Sequence, residues 1–262
     1  RACMVLRLDD RHCQTVSDGM IRADIIVIGA GIAGASLAAE LAPHAAVLLV
    51  EAESQPGYHT TGRSAAFWAE TYGGEIIQPL TSASGGWLRR PPEGYSPQGY
   101  LSPRGALAIA DEAGRAALAG LVAAFDGTGV ELQLLDRAKI EALLPGVRPE
   151  RRHGLFEPSC RDIDVAALHG DYLRMARRAG ARVVTDARIE EIARVAGGWQ
   201  LASRDQRFAA GVIVDAAGAW ADPVAALAGV RPIGIAPYRR TVSQIEVVPA
   251  VSADLPLVID AA

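Results

Sequence analysis

From Met20 to Glu51 the apolar and polar positions fall into three blocks. Ala23–Ile28 and Ala46–Glu51 are nearly continuous apolar runs, the pattern of parallel strands buried on both faces. Between them, after a glycine-punctuated turn, Ile32–Ala42 has helical spacing, so the block predicts one βαβ unit. Helical periodicity returns at Asp111–Phe125, Asp136–Leu144 and Asp164–Ala179. Asp136 offers a side-chain cap and Pro145 a stop, while Arg177, Arg178 and Gly180 give the third segment a cationic last turn and a left-handed stop. Arg182–Thr185, Arg188–Val195, Trp199–Ser203 and Gln206–Ala209 read as short strands with Gly197-Gly198 as a hairpin turn. The apolar strand Gly211–Asp215 then runs into AAGAWADPVAALAG. Arg63–Trp68 predicts a helix start, and the β-branched, partly alternating stretch Arg231–Val248 predicts the start of a further sheet.

Punctuation divides the chain. Prolines 79, 91, 92, 97 and 103 and glycines 85, 86, 94 and 99 mark a departure from the βαβ sheet into another layer. The expected organisation is an α/β protein with a Rossmann-like domain over residues 20–75 and 161–229. An interleaved α+β domain takes 76–160 and 230–262, and residues 1–19, ahead of Met20, lie outside the fold. The chain ends inside LPLVIDAA with no closing element in view, so a C-terminally shortened domain is expected.

At 262 residues, 50% of them hydrophobic, the chain can bury a substantial core and is expected to be soluble and globular. A formal charge of −4 gives no electrostatic reason to bind a polyanion, so nucleic acid is not an expected partner. The apolar runs are too short to cross a bilayer, and no integral membrane segment is expected. Residues 1–19 lack the apolar core and cleavage site of a signal peptide. Three cysteines, Cys3, Cys13 and Cys160, form neither a disulfide framework nor a metal-ligand spacing, which fits a reducing cytoplasm and no metal site.

The chemistry sits in three glycine-rich runs. Gly29-Ala30-Gly31-Ile32-Ala33-Gly34 follows an apolar strand and opens a helix. Its first glycine permits the tight turn, its second lets backbone approach a pyrophosphate, and its third lets helix and strand pack closely. The phosphate would sit on the helix N-terminus. Glu51, closing the second strand about 20 residues on, would accept hydrogen bonds from the adenosine ribose and repel a 2′-phosphate, which argues against NADP. The second run, Gly57-Tyr58-His59-Thr60-Thr61-Gly62-Arg63-Ser64-Ala65-Ala66, is small and hydroxyl-rich, and would let a bulky ring lie against backbone while Arg63 and Ser64 meet phosphate or ring oxygens. In the third, Asp215-Ala216-Ala217-Gly218-Ala219-Trp220, the absence of side chains would permit close approach of a cofactor. Taken singly, the second and third runs read equally as ordinary turns.

In this order and spacing the three runs closely resemble the FAD-dependent D-amino-acid oxidase and dehydrogenase superfamily. VIGAGIAGAS, QPGYHTTGRSAA, LSPR, DIDVAALHGDYLR, DAAGAWAD and LAGVRPIGIAPYRR look most like D-arginine dehydrogenase and its relatives. The resemblance covers residues 21 to about 260. It implies a glutathione-reductase-type FAD-binding domain with FAD as cofactor, held by Gly29, Gly31, Ile32, Ala33, Gly34, Glu51, Ala52, Thr61, Gly62, Arg63, Ser64, Ala65, Ala217, Gly218 and Trp220. It further implies oxidative deamination of an amino-acid substrate, with Arg240 matching a carboxylate-binding arginine and Tyr72 an active-site tyrosine. Phe67, Leu257 and Ile259 match pocket-wall positions. Tyr72, Leu257 and Ile259 equally suit plain core, and without the resemblance Arg240 reads as a solvated strand arginine.

Relatives that prefer basic substrates carry an acidic residue just after LSPR and a histidine in the flavin loop. This chain has Gly105-Ala106-Leu107 and Phe67 there, so neutral or apolar D-amino acids are expected. The same resemblance implies a further pocket tyrosine, a second carboxylate-binding arginine and a last strand and helix beyond the present end. Alternative substrates within the superfamily are sarcosine or glycine, a 2-hydroxy acid and glycerol 3-phosphate. A non-catalytic nucleotide-binding remnant is the alternative from another class. Oxygen and a membrane quinone both remain open as electron acceptor.

Overall fold

The computed structural model describes residues 13–15 and 19–261. In chain order the elements begin with β1 (Gln14–Thr15), β2 (Ile21–Ile28), α1 (Ile32–Leu41), β3 (Val47–Val50), β4 (Phe67–Trp68), α2 (Gln78–Arg89), β5 (Leu101–Pro103) and β6 (Ala106–Ala110). Next come α3 (Arg115–Ala124), β7 (Gln133–Leu135), α4 (Arg137–Leu143), β8 (His153–Glu157), β9 (Arg161–Ile163) and α5 (Val165–Arg178). The series closes with β10 (Arg182–Val184), β11 (Glu191–Val195), β12 (Gly198–Ala202), β13 (Arg207–Asp215), α6 (Ala221–Leu227) and β14 (Leu257–Asp260).

The chain divides into two compact units. One comprises the described residues of Arg1–Ser64 together with Val165–Val242, the other those of Ala65–Asp164 together with Ser243–Ala262. The second unit thus takes up the chain at Ala65, ahead of the boundary at 75 suggested by composition.

In the first unit one sheet runs in the order β10-β3-β2-β13-β12-β11. β10, β3, β2 and β13 are parallel, and β11 to β13 form an antiparallel meander. Alternate residues of the central strands serve opposite faces. Val27, Val47 and Leu49 pack with Ala35, Ala38 and Ala39 of α1 and with Leu173 and Ala176 of α5, whereas Ile26, Ile28, Leu48 and Val50 join Phe208 and Leu201. All four residues of β3 are at most 1% exposed. At about 1.5–3 kcal/mol for each fully buried aliphatic side chain, these runs are what hold the sheet to its helices. Alanines on α1 let it lie close against the strands.

Five sequence expectations are corrected here. Gln14 and Thr15, expected outside the fold, pair antiparallel with Arg22 and Ile21. β2 starts before β3 can cover it, since Val47 first pairs with Ile25, and the open edge takes these two residues. Cys13 beside them donates its thiol to the Val47 carbonyl at 3.3 Å. Residues 1–12, Cys3 among them, and 16–18 lie outside the described residues.

The two expected strands Gln206–Ala209 and Gly211–Asp215 form the single strand β13, because Phe208 to Asp215 keep register with Ile21 to Ile28 straight through Gly211. The hairpin before it turns at Ala196-Gly197 rather than Gly197-Gly198. Val195 already pairs with Gly198, and Gly197 carries the left-handed φ of 87°.

Arg63–Trp68 is not a helix start: Phe67 and Trp68 form β4 and pair with Asp162 and Arg161, as aromatic residues on a pleated surface favour. Arg231–Val248 forms no strand. Its residues are exposed, and β-branched composition alone supplies no partner for the backbone of an extended segment.

The second unit has two sheets, β14-β6-β8-β7 and β4-β9-β5. Arg104 ties them to the chain before β14. It donates to Asp162 Oδ2 and to the carbonyls of Ala253 and Leu255. Asp136 caps α4 as read, accepting from Lys139 N at 2.9 Å. Further on, Arg151 bridges Asp111 and Asp260.

Candidate functional site

Strand order locates the site. β2 leads through α1 to β3 on one side, while β13 lies on the other, so the carboxyl ends of β2 and β13 diverge into a crevice where open α/β sheets bind ligands. The cavity there is lined by Ile28, Gly29 and Gly31 after β2, by Val50 to Glu53 after β3, and by Ala216 to Trp220 after β13. The loop Gly57–Thr61 forms a further wall.

Gly29 has φ 103°, and a Cβ there would stand 2.5 Å from the Ala216 carbonyl oxygen. A Cβ on Gly34 would collide with the Gly29 carbonyl oxygen. The first glycine therefore makes the turn and lets β13 approach, and the third lets α1 close on the turn. The first helical bond runs from Ala35 N to Gly31 O at 2.9 Å, so the Ala33 and Gly34 amides sit in the first turn where an anion is favoured.

Glu51 has an architectural part as well as the expected ribose contact. Its Oε2 accepts from Ala30 N at 2.9 Å and its Oε1 from Glu53 N at 3.0 Å, which fixes the carboxylate at the strand end while further lone pairs stay available. Thr61 Oγ1 accepts from Ile32 N at 3.0 Å, so the second run is joined directly to the helix N-terminus. Gly62 N donates to Gly57 O at 2.7 Å and closes the loop on itself. Arg63, exposed, donates to the Tyr58 carbonyl and lies 4.5 Å over the Tyr58 ring. Ser64 and Ala65 are exposed, Ser64 ending the first unit's segment and Ala65 opening the second's.

In the third run Gly218 to Trp220 form a turn of 3-10 helix that leads into α6. Asp215 Oδ1 accepts from Ala217 N at 3.0 Å. Burial raises the Asp215 pKa and Asp222 adds to this by repulsion, while the Ala217 amide opposes it. Asp222 in turn accepts from the amides of Ile233, Gly234 and Ile235 and tethers the chain beyond α6.

Several residues were missed from sequence. His59 donates or accepts at Glu53 Oε1 over 2.9 Å and packs against Trp220 with centroids 4.6 Å apart. Arg188 lies 3.7 Å from the same Glu53 oxygen, and Ala187 to Ile189 line the cavity. The available signal was Asp186, a turn-forming residue before a presumed strand. It sits at φ 54°, and its amide and that of Ala187 donate to the Glu53 and Glu51 carbonyls. His169 on α5 is buried, with Nε2 2.8 Å from the Ala30 carbonyl.

The residues expected around a substrate are placed as follows. Phe67 and Leu257 pack together with Ala69, Ala106 and Cys160 in the second unit. Ile259, on the same strand as Leu257, is half exposed, and Tyr72 is 70% exposed. Arg240 belongs to the first unit and is exposed in the irregular stretch after α6. Cys160 is fully buried, and burial together with the nearby Glu157 carboxylate pushes its thiol up to about 11.

Glu157 beside it is also buried. It accepts from Glu70 N and Thr71 Oγ1, both at 2.6 Å, and from Ser159 Oγ at 3.2 Å.

The family of FAD dependent oxidoreductases designated DAO matches residues 24–260. The chain belongs to this family, and its cofactor is FAD. The tRNA 5-methylaminomethyl-2-thiouridine biosynthesis bifunctional protein MnmC of Pseudomonas putida is 29% identical over 88% of this chain and 34% of its own length. Among solved structures, L-alpha-glycerophosphate oxidase from Mycoplasma pneumoniae with FAD bound has a TM-score of 0.70 at 21% identity, covering 80% of this chain and 58% of its own. Glycine oxidase from Geobacillus kaustophilus gives 0.70 at 22%, covering 79% and 58%. L-proline dehydrogenase from P. horikoshii gives 0.69 at 20%, covering 80% and 56%. The chain spans about a third of the curated relative and under two thirds of these three chains. At this identity the structures show the fold. No helix among the described residues is long and apolar enough to cross a membrane.

The residues present fit FAD. The cradle at Gly29 and Gly34 is one that a Cβ would fill, Glu51 is held at the end of β3 with lone pairs suited to ribose hydroxyls, and the first-turn amides of α1 suit a pyrophosphate.

Proposed function

We propose that this chain is part of an enzyme that oxidises D-amino acids with neutral or apolar side chains, releasing an oxo acid and ammonia. The observation that carries the reading is the cavity at the β2, β3 and β13 ends, which suits the ADP portion of FAD within a family of oxidoreductases. When bound, FAD supplies the acceptor for a hydride leaving the substrate α-carbon, and water hydrolyses the resulting imino acid.

The chain's own residues are assigned as follows. Gly31 and the first turn of α1 hold the pyrophosphate and Glu51 the adenosine ribose, with Ala52, Ala217 and Trp220 completing the wall and Gly62 closing the loop behind Thr61. Arg240 binds the substrate carboxylate, for which a guanidinium fork is suited because it offers two parallel donors. Tyr72 contacts the substrate, and Phe67, Leu257 and Ile259 form the apolar wall.

Preference for an uncharged side chain is supported by the residues after LSPR. A Cβ on Gly105 would meet the Phe156 ring at 2.7 Å, and Ala106 and Leu107 are buried. None of the three positions offers a carboxylate to a substrate guanidinium, and the buried Glu157 is already engaged by three donors. An uncompensated buried guanidinium is costly. Comparing kcat/KM for D-leucine, D-phenylalanine and D-arginine tests this. The expected order puts D-arginine last, and D-arginine first would overturn the side-chain assignment.

A second reading is favoured by the similarity to the Pseudomonas putida tRNA-modifying protein, namely that the chain serves a larger polypeptide acting on tRNA. The net charge of −4 lends it no support. Flavin bleaching by a D-amino acid favours the first reading, and bleaching only by modified tRNA the second.

A further inference from the structure

We infer that His169 is a positioning residue for cofactor binding, which holds the Ala30–Gly31 peptide in the one orientation that presents an N–H rather than a carbonyl to the pyrophosphate. This rests on the cofactor and not on the proposed substrate. The His169 ring is buried on α5, and its Nε2 lies 2.8 Å from the Ala30 carbonyl oxygen. A carbonyl oxygen only accepts, so Nε2 carries the proton and donates. On the other side the ring abuts Gly57, where a Cβ would stand 2.8 Å from His169 Cε1 and 3.1 Å from Nδ1. The imidazole is therefore fixed between the phosphate turn and the second cofactor loop, and it has one orientation in which to donate.

The consequence follows from peptide geometry. In a planar trans peptide the C=O of one residue and the N–H of the next point in opposite directions. Drawing the Ala30 carbonyl onto His169 turns the Gly31 N–H to the opposite side, and Gly31 lines the cavity. This peptide is unusually free to rotate, because Gly31 follows it and Gly29 lies one residue ahead. Reversed, it would aim carbonyl lone pairs at a phosphate. Glu51 secures the preceding peptide through Ala30 N, and Thr61 the following one through Ile32 N. His169 secures the peptide between them, so all three in succession are tied by side chains from three different segments.

The test compares H169Q, whose amide can supply a donor at a similar reach, with H169L, which keeps apolar bulk and has none. FAD and ADP affinities are measured by titration of the full chain, and thermal unfolding is recorded without ligand. H169L should bind both ligands about tenfold more weakly, the scale of one peptide-orienting hydrogen bond, and H169Q should stay within about threefold of wild type. Affinities equal in H169L and wild type, or H169Q as weak as H169L, would overturn the inference. So would losses for FAD and ADP that merely track a common fall in unfolding temperature in both variants. H169M replaces H169L in the same comparison if the leucine variant does not fold.

Discussion

Replacing Gly29 by alanine is a one-methyl change whose cost can be worked from the backbone. The residue sits at φ 103°, where an L side chain meets about 1–2 kcal/mol of strain. Its Cβ would stand 2.5 Å from Ala216 O, 2.9 Å from Ala216 C and 3.1 Å from Ala217 Cα, all backbone atoms that cannot rotate aside. Relief requires β2 and β13 to part at their carboxyl ends, which strains the bond from Ala216 N to Ile28 O at 2.9 Å. Overpacking of this kind adds about 1–3 kcal/mol. G29A should therefore lose about 2–5 kcal/mol, measured by denaturant unfolding, and should bind FAD weakly because the same strand ends form the cavity. Gly120 provides the contrast. It lies inside α3 with nothing within 4 Å of its would-be Cβ, so G120A should gain about 0.5–1 kcal/mol. A G29A protein within about 0.5 kcal/mol of wild type, with unchanged FAD affinity, would refute the close-approach argument.

Three further outcomes are expected. E51Q replaces one of two backbone-accepting carboxylate oxygens by an amide donor facing the Glu53 N–H, and FAD titration should show an affinity roughly 10–100-fold lower. The Cys160 thiol, ordinarily near 9.0, holds its proton up to about 11 in the fold, so between these values the unfolded state binds fewer protons and stability falls as pH rises. That loss should amount to at most about 3 kcal/mol in pH-dependent denaturation, and C160A should flatten the slope. D222A removes the acceptor for three successive amides at Ile233 to Ile235, so trypsin should cut after Arg239 and Arg240 faster than in wild type, read by mass spectrometry.

The parallel strands and the glycine turn were legible because continuous apolar runs and a glycine fingerprint report local constraints that the fold preserves. Val47 to Val50 are buried on both faces, as their composition implied. What sequence obscured depends on distant neighbours. Nothing local says that Gln14 will fill an edge left by the stagger of Val47 against Ile25, or that Phe67 will find Asp162. Arg231–Val248 shows the reverse case, in which strand-like residues form no strand because pairing is decided by what lies alongside. His169 was invisible for the same reason: a histidine on an amphipathic helix acquires meaning only from the Ala30 carbonyl, 139 residues away in the chain. Among the site residues, Gly29, Gly31, Glu51, Ala52, Thr61, Ala217, Gly218 and Trp220 come together at one cavity, whereas Glu53, His59 and Arg188 were added to it by the loops.

The most direct test of the central claim is to purify the chain and titrate it with FAD, following flavin absorbance and fluorescence, with FMN as the competitor lacking adenosine. The cavity at the ends of β2, β3 and β13 requires one FAD per chain, displaced by ADP and not by FMN. A chain that takes up no FAD, or takes up FMN equally well, would contradict it.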